Sequence, residues 1–295
     1  MTRTLVTGSA GRLGRSLVTT LAQAGHEVIG IDVTAGTPEQ AAATLPADLT
    51  DLGETYAVIA RFRPDVVVHL AAIATPFSRT DGLTFRTNTQ LAFNVCEASG
   101  NLGVGRVVVA SSPTVIGYGA PLGWTPSYLP IDEDHPTAPW NAYSLSKLVA
   151  EQTMASFART SRTKFAAVRP CFVVAPEEWA GAPTQSGHTM AERLDRPEIA
   201  GVSLFNYIDA RDASDMISVL VERLPDLPSG EVFFAGAADA LARRPLAELL
   251  PSVIPATEAA APALTGASPA FTSVKAERML GWTAKRSWRT ELEIG

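Results

Sequence analysis

A phenol and an amine four residues apart, Tyr143 and Lys147, make the most reactive pairing in this 295-residue sequence. They close the run Tyr143-Ser144-Leu145-Ser146-Lys147, and i, i+4 spacing sets both on one face of a helix. Tyrosine is a poor base at its free pKa of about 10, but a neighbouring ammonium favours the phenolate. Such a group can exchange a proton with a substrate oxygen while a hydride moves at the carbon that bears it. Ser111-Ser112 closes an apolar run upstream and offers a hydroxyl to the same oxygen, Ser112 being the positioning group.

A hydride needs an acceptor, and the N-terminal residues suggest one. Thr7-Gly8-Ser9-Ala10-Gly11-Arg12-Leu13-Gly14 joins an apolar run to a helical stretch with glycines at 8, 11 and 14. Glycine lets backbone approach a pyrophosphate closely, and the helix start offers free N–H groups and a positive dipole end. Asp32 closes the next apolar run, 18 residues past Gly14, where an acid accepts hydrogen bonds from an adenosine ribose. Its charge repels a 2′-phosphate, so NAD is expected rather than NADP. Arg12 is a candidate phosphate contact.

These residues need a scaffold that brings run ends together. Short β-branched runs at 4–7, 27–32, 66–70, 106–111, 165–169 and 231–234 alternate with helical stretches at 13–24, 52–62, 82–99 and 142–160. That alternation predicts an α/β fold with a doubly wound parallel sheet. The runs Val66-Val67-Val68 and Val107-Val108-Val109 read as central strands buried on both faces. Beyond Cys171 prolines interrupt the pattern. Residues 1–170, with 207–235 returning to them, are expected to form the dinucleotide-binding domain. Residues 171–206 and 236–295 would form a small, interleaved substrate lobe. Within it Leu241, Leu246, Leu249 and Leu250 suggest a helical face.

Composition narrows the function. The chain is 46% hydrophobic and 18% charged with a net charge of -6, enough for a packed core and without a basic run for nucleic acid or an anionic membrane. Two cysteines without CxxC spacing and four scattered histidines suggest neither a disulfide scaffold nor a metal site. No stretch has membrane-span length, and the N-terminus leads straight into a strand with no signal-peptide pattern, so a cytoplasmic protein is expected.

Together with Ala47-Asp48-Leu49, His69-Leu70-Ala71-Ala72, Asn88, Arg169-Pro170 and the terminal Lys275–Trp282 run, these motifs resemble the extended short-chain dehydrogenases/reductases of the NAD-dependent epimerase/dehydratase family over nearly the whole chain. The resemblance implies a Rossmann-type fold, NAD as cofactor and a homodimer. It implies that Gly8, Gly11 and Gly14 cradle the pyrophosphate beside Leu13, that Asp32 holds the ribose, and that Asp48 and Leu49 flank the adenine. Leu70, Ala71 and Ala72 would line the cofactor cleft, with Asn88 beside it or bracing the Tyr143 helix. Lys147 would reach the nicotinamide ribose, Tyr143 would be the acid/base, and Ser112 rather than Ser111 the catalytic hydroxyl. Expected substrate contacts are Thr75, Ser111, Pro113, Thr114, Phe172 and Arg211.

Departures from the family pattern narrow the substrate. Pro113-Thr114 replaces the Asp-Glu pair of the dehydratases. Phe172 and Phe205 stand where nucleotide-sugar epimerases carry an asparagine and a diphosphate-binding arginine. The carboxylate-clamping arginine of uronate dehydrogenases has no clear counterpart in 177–190. The leading expectation is therefore an NAD-dependent dehydrogenase of a free sugar or sugar-like alcohol, a neutral polyol or aldose fitting at least as well as a uronate. The alternative is an epimerase that retains its NAD. A dinucleotide-binding sensor without turnover is disfavoured by the presence of both Tyr143 and Lys147. Aromatic Trp124, Tyr128 and Trp140 in the 118–140 loop would either stack on a sugar or pin that loop.

Overall fold

Apolar runs too short for helices and flanked by glycine turns lie side by side as strands. The computed structural model describes residues 1–34 and 36–292. Its strands are Arg3–Thr7 (β1), Glu27–Asp32 (β2), Ala43–Pro46 (β3), Val66–His69 (β4), Arg106–Ala110 (β5), Lys164–Pro170 (β6), Val173–Val174 (β7), Ile208–Asp209 (β8) and Glu231–Ala235 (β9). All but β7 and β8 form one parallel sheet in the order β3-β2-β1-β4-β5-β6-β9, and β7 pairs with β8 alone. The order reverses between β1 and β4, where Thr7 lies opposite His69, and this is where open α/β sheets hold ligands.

The helices are Arg12–Gln23 (α1), Leu52–Phe62 (α2), Asp81–Asn101 (α3), Ala142–Thr160 (α4), Pro176–Trp179 (α5), Met190–Asp195 (α6), Pro197–Gly201 (α7), Ala210–Arg223 (α8), Leu246–Val253 (α9), Val274–Leu280 (α10) and Trp288–Glu291 (α11). Strand side chains alternate between two cores. Val66, Val68 and Val108 pack with Leu17 and Leu21 of α1 and Met216 and Leu220 of α8. Val67, Val107 and Val109 pack with Ile59 of α2, Val95 of α3 and Met154 of α4. The valine triplets are fully buried, as expected of central strands.

Among the elements that were not anticipated are β3 and α8. β3 is a half-exposed edge strand of four residues ending in a proline, too short to stand out. α8 carries buried residues at 213, 216, 217, 220 and 221, and its N-cap Asp209 accepts the Arg211 N–H at 2.7 Å. The expected helical face in 235–270 shrinks to α9. Leu246, Leu249 and Leu250 are buried on it, whereas Leu241 is buried in irregular chain before it. Among the described residues no helix is long and apolar enough to cross a membrane.

Candidate functional site

At the carboxyl ends of β1, β4, β5 and β6 the chain encloses a cleft of about 390 Å³, within the range of small-ligand sites. Gly8, Gly11, Arg12, Leu13 and Gly14 form one wall, with Leu70 and Ala72 across the switch point. A Cβ on Gly14 would fall 2.0 Å from the Gly8 carbonyl oxygen, and one on Gly8, at φ +71°, 2.7 Å from the Ala71 nitrogen. The turn is thus closed to any side chain at 8 or 14. Gly11 is the N-cap of α1 and supplies no side-chain acceptor, so the N–H groups of the first turn have no side-chain cap.

Asn141 fixes where α4 begins. Its side chain accepts the Ser144 N–H at 2.9 Å while Ser144 Oγ accepts the Asn141 N–H at 3.3 Å, a reciprocal cap. That start puts Tyr143 in the first turn and Lys147 one turn on, both buried and both lining the cleft with Ser112. Lys147 Nζ lies 5.9 Å from the Tyr143 ring centroid and donates to the Ala110 carbonyl at 2.9 Å. Burial pulls the Lys147 ammonium down to about 8. Burial raises the Tyr143 phenol, and a hydrogen bond from Ser112 opposes that rise. Ser112 Oγ also receives the Thr114 hydroxyl at 2.9 Å. His69, at the end of β4, pairs with Thr7 Oγ1 at 2.7 Å and is pushed down to about 3, first by burial and then by Lys147. It is a neutral packing group.

Other expected site residues divide sharply. Thr75, Pro113, Thr114 and Phe172 line the cleft. Ser111 borders it, but its hydroxyl bonds Glu151, which Arg169 holds through two hydrogen bonds of 2.8 and 2.9 Å. Of the two readings of Asn88, the hydrogen bonds match the brace. Its oxygen accepts the Ile73 N–H at 2.8 Å, and its amide donates to Ile73 O at 3.2 Å and Ser146 Oγ at 3.0 Å. Arg211 is corrected from a substrate contact, because Asp209 and Glu291 hold its guanidinium at 2.6 Å each, away from the cleft. Arg12 lines the cleft yet pairs with Glu178 of α5 at 2.6 Å.

Asp32 stands at the end of β2, accepting the Ala10 N–H of the glycine turn at 3.0 Å and the Thr34 N–H at 3.0 Å. Asp48 and Leu49 follow β3. The Asp48 carboxylate takes the Thr50 N–H and hydroxyl, and Leu49 is buried. Ala71 meets the turn through its backbone, its N–H donating to Thr7 Oγ1 at 3.2 Å. The loop aromatics pin their own loop: Trp124 donates to Ile116 O, Trp140 to Tyr118 O and Tyr128 to Asp132. The acidic run Asp132-Glu133-Asp134 is also tied in, since Glu133 accepts the Phe234 N–H at 2.6 Å.

Sequence reasoning missed a part of the cleft lining made by Gln185, Ser186, Arg193, Val202, Ser203 and Asn206. No spacing marks these residues, because short helices and a strap carry them there. Phe205, which stands where nucleotide-sugar epimerases carry a diphosphate-binding arginine, is sealed in the core.

Residues 4–236 match the family model described as the NAD dependent epimerase/dehydratase family. A UDP-glucose 4-epimerase from Azospirillum brasilense is 36% identical over 158 residues, 52% of this chain and 43% of that protein, so the chain spans less than half of that relative's length. A UDP-glucose 4-epimerase from Corynebacterium glutamicum is 26% identical over 309 residues, 96% of this chain and 91% of that protein. A solved short-chain dehydrogenase/reductase superfamily protein from Agrobacterium tumefaciens, with NAD bound, has the same fold: TM-score 0.74, 23% identity, 99% of this chain and 95% of that one.

Proposed function

The chain belongs to the NAD dependent epimerase/dehydratase family, and from that premise we propose that it is an epimerase acting at a carbinol carbon of a sugar-type substrate. The observation that carries this reading is the convergence of Tyr143, Lys147 and Ser112 on one cleft with the glycine turn. The resemblance to UDP-glucose 4-epimerases, one along 96% of the chain, supports epimerisation over the free-sugar dehydrogenase that the sequence put first.

The turn fits the cofactor, since a Cβ would fill the cradle at Gly8 and Gly14 and the α1 N-terminus faces it uncapped. Gly8, Gly11 and Gly14 would hold the pyrophosphate, Asp32 the ribose hydroxyls, and Asp48 and Leu49 the adenine side. NAD, when bound, supplies a hydride acceptor at the substrate carbon and, in an epimerase, the donor that restores it on the other face. Tyr143 Oη takes the proton from the substrate hydroxyl and returns it, its phenolate favoured by the Lys147 ammonium. Ser112 Oγ donates to the reacting oxygen. Thr75, Pro113 and Thr114 are proposed to border the sugar.

A second reading, net oxidation with release of NADH, draws on Phe205. It is buried, so nothing at that position offers a diphosphate a cation. Purified protein, supplied with NAD and a panel of nucleotide sugars, uronates and aldoses, separates the two. Inversion of configuration without NADH supports the epimerase; sustained NADH overturns it in favour of the dehydrogenase. We also propose a homodimer through α3 and α4, where Phe85, Phe93 and Leu145 are exposed. Light scattering tests it, and a monomer would overturn it. The buried free thiols Cys96 and Cys171 suit a reducing, cytoplasmic setting.

A further inference from the structure

We propose that Arg193 is an anion clamp, binding a carboxylate or phosphate group carried by the substrate in the cleft. The proposal rests on the reading of this cleft as the substrate site. Arg193 lies on α6 and is only 1% exposed, yet it lines the cleft that holds Tyr143 and Ser112. Its guanidinium carbon sits 4.1 Å above the centroid of the Phe172 ring, which acts as a platform. Nη2 donates to Ser203 Oγ at 3.0 Å, and that hydroxyl in turn donates to Ala200 O. Nε is buried without any acceptor.

Among the described residues no carboxylate forms an ion pair with it. Glu178, whose charge acts on Arg193 from a distance, is already held by Arg12 at 2.6 Å and by the Ala175 N–H at 2.8 Å. Burying an arginine without a counter-ion is unfavourable, and burial pulls this one down only to about 10, so it stays charged at neutral pH. A guanidinium whose Nε has no acceptor, stacked on an aromatic plane and lining a cleft, suits a two-oxygen anion held bidentately. A neutral polyol or aldose would leave that charge unanswered. Arg193 lies just past the stretch in which a carboxylate-binding arginine was sought, carried inward by the short helix α6 rather than by spacing from β6.

Titration calorimetry on the NAD-loaded protein tests the clamp without requiring turnover. The probes are D-galacturonate, galactose 1-phosphate, UDP-galactose and neutral D-galactose. The wild type is expected to bind at least one anionic probe about 10- to 100-fold tighter than galactose, and Arg193→Met to lose that margin while Arg193→Lys keeps part of it. Retained NAD affinity shows that the variants are folded. Should both variants fail to fold, competition of inorganic phosphate against the bound anionic probe in the wild type gives the same answer. Preference for the uronate identifies a carboxylate substrate, and preference for either phosphorylated probe a phosphate; both support the clamp. Equal binding of charged and neutral probes, or an unchanged margin in Arg193→Met, overturns it. Anion binding through Arg193 without inversion or NADH formation would sink the proposed reaction and leave the clamp standing.

Discussion

The backbone nitrogen of Ala71 lies 2.7 Å from the point where a Cβ on Gly8 would stand, so the turns leaving β1 and β4 pack backbone against backbone. Gly8 is also at φ +71°, a left-handed conformation that a side chain disfavours. Gly8→Ala therefore meets both strain and a clash, and the turn must move where a pyrophosphate would sit. We expect NAD affinity to fall by at least about 10-fold, the equivalent of 1.4 kcal/mol. Fluorescence titration with NAD checks this, and an unchanged Kd would remove the turn from the cofactor site.

Removing one oxygen from Tyr143 isolates proton transfer from binding. Tyr143→Phe keeps the ring that packs in the first turn of α4 but lacks the group that exchanges a proton, so kcat is expected to fall by about 10²- to 10⁴-fold. Ser112→Ala loses a donor to the reacting oxygen and is expected to act in the same direction more weakly. NAD affinity should be kept in both variants. Full turnover by Tyr143→Phe in the substrate panel would end the acid/base assignment.

Lys147 trades stability for chemistry. Its folded pKa is about 8 against 10.5 in a free lysine. Below pH 8 folded and unfolded chains both carry the proton, and the full penalty of the buried ammonium is present. Between about 8 and 10.5 the unfolded chain binds more protons, so this residue makes stability rise with pH through that window. Lys147→Met removes the penalty, and we expect its Tm at pH 7 to exceed that of the wild type by about 2–6 °C while turnover collapses. Thermal unfolding at pH 7 and pH 10 checks this, the gap between the two proteins narrowing at the higher pH.

The residues that announced themselves in the sequence are those bound by short-range rules. Gly8, Gly11 and Gly14 follow a strand, Tyr143 and Lys147 share a helical face, and the valine triplets have no polar face, so local pattern and final position agree. Asn88 was left between two readings and Arg211 was misjudged because what uses up their polar atoms, Ile73 and Ser146 for one and Asp209 and Glu291 for the other, is set by packing. β3 was missed because an edge strand needs little burial. α8 was legible, with apolar residues at 213, 216, 217, 220 and 221 behind an Asp cap, and the proline-rich setting obscured it. Arg193 was beyond local pattern, since only tertiary structure brings Phe172 under it and Ser203 beside it.

Behind Ser111 and Ser112 lies a buried ion pair whose role is structural. Arg169 of β6 holds Glu151 of α4 by two hydrogen bonds, and Glu151 holds the Ser111 hydroxyl, so sheet, helix and strand end are locked together. The two charged side chains are 4% and 6% exposed, which leaves water little means to replace a missing partner. Glu151→Gln keeps the shape but strands the Arg169 charge, and Arg169→Met strands the carboxylate. Each is expected to destabilise the fold by about 3–5 kcal/mol. The double replacement Glu151→Leu with Arg169→Met removes both charges and should cost much less than the sum of the singles, although the Ser111 hydroxyl then loses its acceptor. Urea unfolding of the three variants reads the coupling. Additive losses would mean that the two side chains act independently and that Ser112 is held in place by its own strand and turn alone.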